Sequence, residues 1–297
     1  ELAQYHPNFY LSGGEPFIRK DTLDIIEYIA SKGLKVGLTD NGTLLTDEII
    51  SRIAKINSLE ITFSIDGPKE IHDKIRGKGS FEKTIYNINR LLQVRGNNKE
   101  FPKIMTNTTI APENIDYLSD LIGFLDELKV DAIKLQHLWF TDVQKARKTE
   151  RILAEIFKIE NDNGPYSHIM ENLDLKYAKK VADLVDIILR RSHKLSTPIL
   201  FYPFLDKEEI IKYYTDINFT KYKKCIAPWN EITIKANGDV MFCPDEWITQ
   251  FKLGNIKNDT IDELWNGDRA KLFRKFLLSN GKFPICDHCC FFYGGRG

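Results

Sequence analysis

Phe9-Tyr10-Leu11-Ser12-Gly13-Gly14-Glu15-Pro16 is the stretch whose reading decides the fold. Phe9 to Leu11 are apolar and suit a buried strand. Gly13 and Gly14 turn the chain and leave its backbone bare. Glu15 puts a carboxylate at the strand's end, and Pro16 stops the strand because it has no N–H to give a sheet ladder. A polar ligand can then reach bare amides and a fixed carboxylate at a strand's carboxyl edge, where α/β proteins place their ligands. An ordinary strand-to-helix turn is the other reading these residues allow.

The same unit recurs downstream. Residues 21–31 are amphipathic and read as a helix that Gly33 ends. Leu34 to Thr39 read as a strand closed by Asp40-Asn41-Gly42, and Thr46 caps a helix with Asp47 and Glu48 in its first turn. Leu59 to Ile65 read as a strand closed by Asp66-Gly67-Pro68, and Ser80 is expected to cap a helix running to about Val94. Lys103 to Ile110, a helix ending near Leu128, and a strand from Ala132 to His137 complete five strands and four helices. Pro198 to Phe204 read as a sixth strand. Alternating β and α units predict a parallel sheet. The expected fold class is α/β, a partial (β/α)6 TIM-like barrel with a small C-terminal cysteine-rich hairpin/helix module; a flat doubly wound sheet is the alternative. Ser12 to Glu15, Asp40 to Gly42, Ser64, Asn107 and Gln136-His137 all fall at or near strand carboxyl ends. In a barrel they ring one mouth.

With 297 residues the chain has ample length for a core, and it divides by motif into residues 1–220 and 221–297. Lys plus Arg and Asp plus Glu both number 42, so no global field favours nucleic acid or an anionic membrane. No apolar run approaches a membrane span. The five cysteines all follow Lys224, which reads as a metal or redox site in a reducing, cytoplasmic compartment rather than a disulfide framework. The charged helical stretches 141–160 and 173–194 read as solvated faces, and Tyr213, Tyr214, Phe219 and Tyr222 as packing.

Asn237-Gly238 between two alternating runs signals a hairpin that brings Cys225 and Cys243 to one end. Cys286 and Cys289 form a C-x-x-C pair. Four thiolates from two distant pairs suit zinc or an iron–sulfur cluster and exclude hard cations. Cys290 reads as a spare thiol beside the site. Gly254-Asn255-Ile256 reads as a turn, and residues 261–266 and 271–278 as helices.

Together, Ser12-Gly13-Gly14-Glu15-Pro16, Asp40-Asn41-Gly42-Thr43-Leu44-Leu45, Ser64-Ile65-Asp66-Gly67 and Ile71-His72-Asp73-Lys74-Ile75-Arg76-Gly77 resemble the radical S-adenosylmethionine superfamily. Cys225, Gly238, Cys243, Cys286 and Cys289 match the C-x(12)-G-x(4)-C…C-x-x-C pattern of its twitch/SPASM extension with one auxiliary [4Fe–4S] cluster. The resemblance implies an oxidoreductase that generates a 5′-deoxyadenosyl radical to abstract hydrogen from a peptide or small-metabolite substrate, with electrons from a donor such as flavodoxin or ferredoxin. It implies that Gly13, Gly14 and Glu15 take the amino group of S-adenosyl-L-methionine, that Ser64 and Arg76 take its carboxylate, and that Asn41 and Asn107 meet the nucleoside. Gln136 and His137 fall on the substrate side, and Asp245, after Cys243-Pro244, is a candidate base. Cys225, Cys243, Cys286 and Cys289 hold the auxiliary cluster.

One departure stands out. The family's C-x-x-x-C-x-x-C loop precedes the Ser12 region, and no cysteine occurs here before Cys225. The missing initiator Met leads us to expect a longer polypeptide that carries the loop. The other reading is a degenerate, non-catalytic barrel that binds a peptide or protein partner and keeps a structural metal site.

Overall fold

The computed structural model describes residues 1–98, 100–159, 174–243, 248 and 250–293, without the side chains of residues 290 and 291. The chain forms two compact units, one of residues 2–138 and 183–204, the other of residues 139–182 and 205–297 with Glu1. The division at residue 220 is one of motif; compactness divides the chain differently. No helix among the described residues is long and apolar enough to cross a membrane.

The first unit is built on six parallel strands in the order β1-β2-β3-β4-β5-β6: β1 (Phe9–Leu11), β2 (Val36–Asp40), β3 (Leu59–Ser64), β4 (Lys103–Ile110), β5 (Ala132–His137) and β6 (Ile199–Tyr202). β1 and β6 are its two edges, so the sheet is not closed into a ring. The expected parallel α/β architecture is thus present. The central strands carry the core: Val36, Leu38, Leu59, Ile61, Phe63, Ile104, Ile133 and Leu135 are wholly buried. Helices α1 (Thr22–Ser31), α2 (Asp47–Ile53), α3 (Lys69–Arg76), α4 (Ser80–Arg95) and α5 (Leu118–Leu128) alternate with these strands.

Local chemistry sets the helix ends. Thr46 accepts the Ile49 N–H as the N-cap of α2, and Gly33 follows α1 at φ +73°. α3 was not foreseen, because its eight residues read as motif rather than as amphipathic repeat. Nor does Ser80 cap α4. It is the first helical residue, and Gly79 stands before it in the left-handed region with no side chain to offer. Asp73 of α3 supplies the cap instead, accepting from the N–H groups of Gly79 (2.8 Å) and Phe81 (2.9 Å). A carboxylate at a helix N-terminus satisfies free amides and complements the helix dipole.

In the second unit α6 (Val143–Phe157) and the start of α7 (Leu175–Arg191) join α8 (Lys207–Thr215), α9 (Ala227–Asn230), a three-stranded antiparallel sheet of β7 (Thr233–Ile234), β8 (Asp239–Met241) and β9 (Gly254–Asn255), α10 (Ile261–Asn266), α11 (Asp268–Asn280) and α12 (Cys290–Tyr293). The β7–β8 hairpin turns through Ala236-Asn237-Gly238 with Gly238 at φ +92°, a three-residue loop of the kind that needs glycine in its last place. Gly254-Asn255, expected as a turn, is the third strand. Phe157 packs against Phe251, Phe276 and Phe283 at ring distances of 4.8, 5.4 and 5.8 Å, which seats α6 on the cysteine-bearing segment. Tyr213 and Tyr214 are buried as expected of packing residues.

Candidate functional site

The first candidate site lies at the carboxyl ends of β1 to β5. Glu15 follows β1 and caps a short 3-10 turn, Pro16–Ile18. One carboxylate oxygen accepts the Phe17 N–H (3.4 Å), the other the Asn41 N–H just past β2 (3.1 Å). A carboxylate tied to two backbone donors on neighbouring strand ends is held in place. Gly13 and Gly14 are exposed, neither has a positive φ, and a methyl group built on either meets nothing within 4 Å. Turn geometry therefore does not demand these glycines. What they provide is open space over bare backbone beside the Glu15 carboxylate, and carbonyl and carboxylate acceptors fit a group carrying an ammonium.

Asp40 ends β2 and is 1% exposed. One of its oxygens accepts the Gly42 N–H at 2.6 Å, while the other, Oδ2, is buried without a partner. Burial first, then the neighbouring Glu15 carboxylate, pushes the Asp40 carboxyl up to about 8. Sequence reading assigned Asp40 to a turn and missed this. Gly42, at φ +76°, has no room for a side chain: a Cβ would lie 2.7 Å from Thr84 Cγ2. Asn41 spends its side-chain oxygen on the N–H and hydroxyl of Thr43 (2.8 and 2.7 Å), so what it offers Glu15 is its backbone.

Ser64 is buried at the end of β3, in register with Asn107 on β4. The Asn107 amide reaches Gln136 Oε1 on β5 at 3.5 Å, so these two predicted residues meet. His137, next along β5, is 1% exposed, and burial pushes its imidazole down to about 3, keeping it neutral. Arg76, at the end of α3, gives Nε to the Asp66 carboxylate. Asp66 is anchored in turn: its N–H donates to His72 Nδ1 (3.2 Å) and its carbonyl accepts from Asn114 (2.9 Å). Asp66, His72 and Asn114 thus form an unforeseen support for Arg76. Their separation of up to 48 positions hides it from local reading.

The second candidate site lies in the second unit. Cys225, Cys243, Cys286 and Cys289 line one pocket with Pro228, Phe242, Ile248, Phe273 and Phe292. The Cys225 N–H donates to the Gly281 carbonyl at 2.9 Å, which ties the first cysteine to the turn before the C-x-x-C loop. Gly281 sits at φ +82°, and a Cβ there would lie 2.3 Å from the Lys223 carbonyl. Asp287, between the paired cysteines, is 4% exposed and ion-paired with Lys145 of α6 and with Lys282. Lys145 also donates to the Ile217 carbonyl. This corrects the expectation of a solvated face on α6 at that position. His288 stacks on Phe140 at 4.2 Å, and burial, with Lys145 nearby, pushes its imidazole down to about 3.

Among the described residues no three His, Cys, Asp or Glu side chains converge on a single ion. Four sulfurs lining one apolar pocket are a donor set that fits a [4Fe–4S] cluster, in which each thiolate binds a different iron. Asp245 lies outside the described residues, and so does the side chain of Cys290.

The profile of the radical SAM superfamily matches residues 1–125, and that of the SPASM iron–sulfur cluster-binding domain matches residues 225–290. An AdoMet-dependent heme synthase from Methanosarcina barkeri is 32% identical over 297 residues, covering 95% of this chain and 75% of the relative. Its counterpart from Oleidesulfovibrio alaskensis is 34% identical over 290 residues, covering 96% and 68%. Among solved structures, Streptococcus suis SuiB bound to S-adenosylmethionine superposes with a TM-score of 0.64 at 16% identity, which speaks to the fold alone. That alignment covers 94% of this chain and 60% of SuiB, so the chain spans less than two thirds of SuiB's length. S-adenosylmethionine and [4Fe–4S] clusters are the cofactors of this family. The chain belongs to the radical SAM superfamily of enzymes, as a member with a C-terminal SPASM iron–sulfur domain.

Proposed function

We propose that the full-length protein is a radical SAM oxidoreductase that modifies a small metabolite or peptide by removing a hydrogen atom. The observation that carries this reading is Glu15, fixed at the β1 end by two backbone amides and faced by open glycine backbone. Gly13, Gly14 and Glu15 take the cofactor's ammonium. Ser64 and Arg76 take its carboxylate; with Nε spent on Asp66, the guanidinium keeps its two terminal nitrogens for a ligand. The Asn41 and Asn107 segments border the nucleoside, and Gln136 borders the substrate. Asp245 is the candidate base. Bound S-adenosylmethionine supplies, on one-electron reduction, the hydrogen-abstracting radical, and this chain's residues orient it and keep water away. Cys225, Cys243, Cys286 and Cys289 hold the auxiliary cluster, so residues 1–220 serve the cofactor and residues 221–297 the second centre. A flavodoxin or ferredoxin delivers the electrons.

Two relatives named heme synthase span nearly the whole chain, which makes a heme precursor the first substrate class to test. A relative named mycofactocin maturase, 22% identical over 94% of the chain, makes a peptide the second. The test is anaerobic reconstitution of the full-length protein with iron and sulfide, reduction in the presence of S-adenosylmethionine, and chromatography for 5′-deoxyadenosine with each substrate class. No 5′-deoxyadenosine from protein with verified cluster content sinks the enzymatic reading and leaves the non-catalytic scaffold.

A further inference from the structure

Two carboxyl groups, not one, occupy the ammonium corner. β1 and β2 run in register with Leu11 opposite Leu38, so Asp40 at the β2 end stands beside the Gly13-Gly14-Glu15 turn. Both Glu15 oxygens are committed to backbone amides, whereas Asp40 Oδ2 is shielded from water and has no donor. The charged group bearing on Asp40 is Glu15. β3 places Phe63 beside it in register, and α4 contributes Thr84 and Asn87 to the Asn41 and Gly42 carbonyls; all three are neutral. α4 also carries Lys83, Arg90 and Arg95, but among the described residues Glu15 is the one charged group that acts on the Asp40 carboxyl. A carboxyl buried this deeply beside a second carboxylate, with no donor on its inner oxygen, keeps its proton.

We propose that Asp40 keeps its proton beside the Glu15 carboxylate until the cofactor's ammonium arrives, and that its binding expels that proton. The inference rests on the assignment of Glu15 to the ammonium of S-adenosylmethionine. The step is a simple ionisation: the Asp40 O–H bond breaks, both electrons stay on the carboxylate, and the proton passes to buffer. The ammonium then sits between two anions instead of one, so Asp40 becomes a positioning and charge-balancing residue of the cofactor site.

Titration calorimetry of S-adenosylmethionine into the full-length, cluster-loaded protein at pH 7, in two buffers of different ionisation enthalpy, counts the protons released. Wild type should release between about half and one proton more than Asp40→Asn. The ligand's own amine contributes equally to both proteins and cancels. Equal counts with intact binding overturn the proposal. A second readout needs no ligand. The native Asp40 carboxyl holds its proton well above the pH at which the unfolded one loses it, so wild-type stability falls as pH rises through that window. The melting-temperature advantage of D40N should therefore grow from pH 5 to pH 8, and a constant difference overturns the proposal. Asp40→Ser serves the same comparison if D40N does not fold. Should wild type and Glu15→Gln bind the cofactor equally, the assignment of Glu15 fails instead, while the melting comparison still judges the proton on Asp40.

Discussion

Glu15 is in position before any ligand is present, because the Phe17 and Asn41 amides hold it there. Replacing it with Gln keeps the shape and an acceptor but removes the charge that an ammonium needs. A charge-assisted hydrogen bond contributes about 1.5–3 kcal/mol. E15Q should therefore weaken S-adenosylmethionine binding by roughly ten- to a hundred-fold in an equilibrium titration. Arg95 is a residue of the opposite kind, structural rather than functional. Its side chain is 4% exposed and is ion-paired with Asp131, which also accepts the Ile104 N–H at 2.7 Å. Arg95→Leu leaves the largely covered Asp131 carboxylate, 13% exposed, without its cation. It should destabilise the protein by about 3–5 kcal/mol in urea unfolding followed by circular dichroism, with iron binding at the four cysteines unchanged.

At the scale of elements, the α3–α4 junction makes the next prediction. The N–H groups of Phe81 and Gly79 hold the Asp73 carboxyl below its ordinary range. A lowered carboxyl contributes stability above its ordinary value and loses that contribution as pH falls through the lowered one. Asp73→Ala should lower the melting temperature by a few degrees near neutrality, and the deficit should vanish in acid. The same junction shows where sequence reading stops. All six strands of the large sheet were legible as short apolar runs bounded by turn residues, but Phe9 to Leu11 are not the buried strand expected: β1 and β6 are the sheet's edges, and their residues are half-buried or exposed. The Thr46 cap and the Gly33 stop were legible because they act within four positions of themselves. Asp73 capping a helix other than its own was not, nor was Lys145 reaching Asp287 across 142 positions. The same holds within the candidate sites. Glu15 and the cysteines were visible as motifs, while Asp40 was hidden because burial and a neighbouring charge, not residue type, make its carboxyl unusual.

For the whole molecule, the cysteine module makes the sharpest prediction. Cys286→Ser/Cys289→Ser removes two of four sulfurs from the pocket. Iron content should fall by about four atoms per chain, with a matching loss of the broad visible absorbance, while zinc stays at background in both proteins. An unchanged iron count would show that the cluster is held elsewhere.

The order of the large sheet has a consequence for how the protein is made. Every strand from β2 onward pairs with the one just before it in the chain. As the polypeptide leaves the ribosome, each newly emerged strand meets a partner already extruded, so the ladder can grow during translation without waiting for the far terminus. Only β6 arrives late, since residues 138–198 must be synthesised between β5 and β6. Until then the β5 edge stands open on the nascent chain, and that interval is when the growing molecule is most in need of a chaperone.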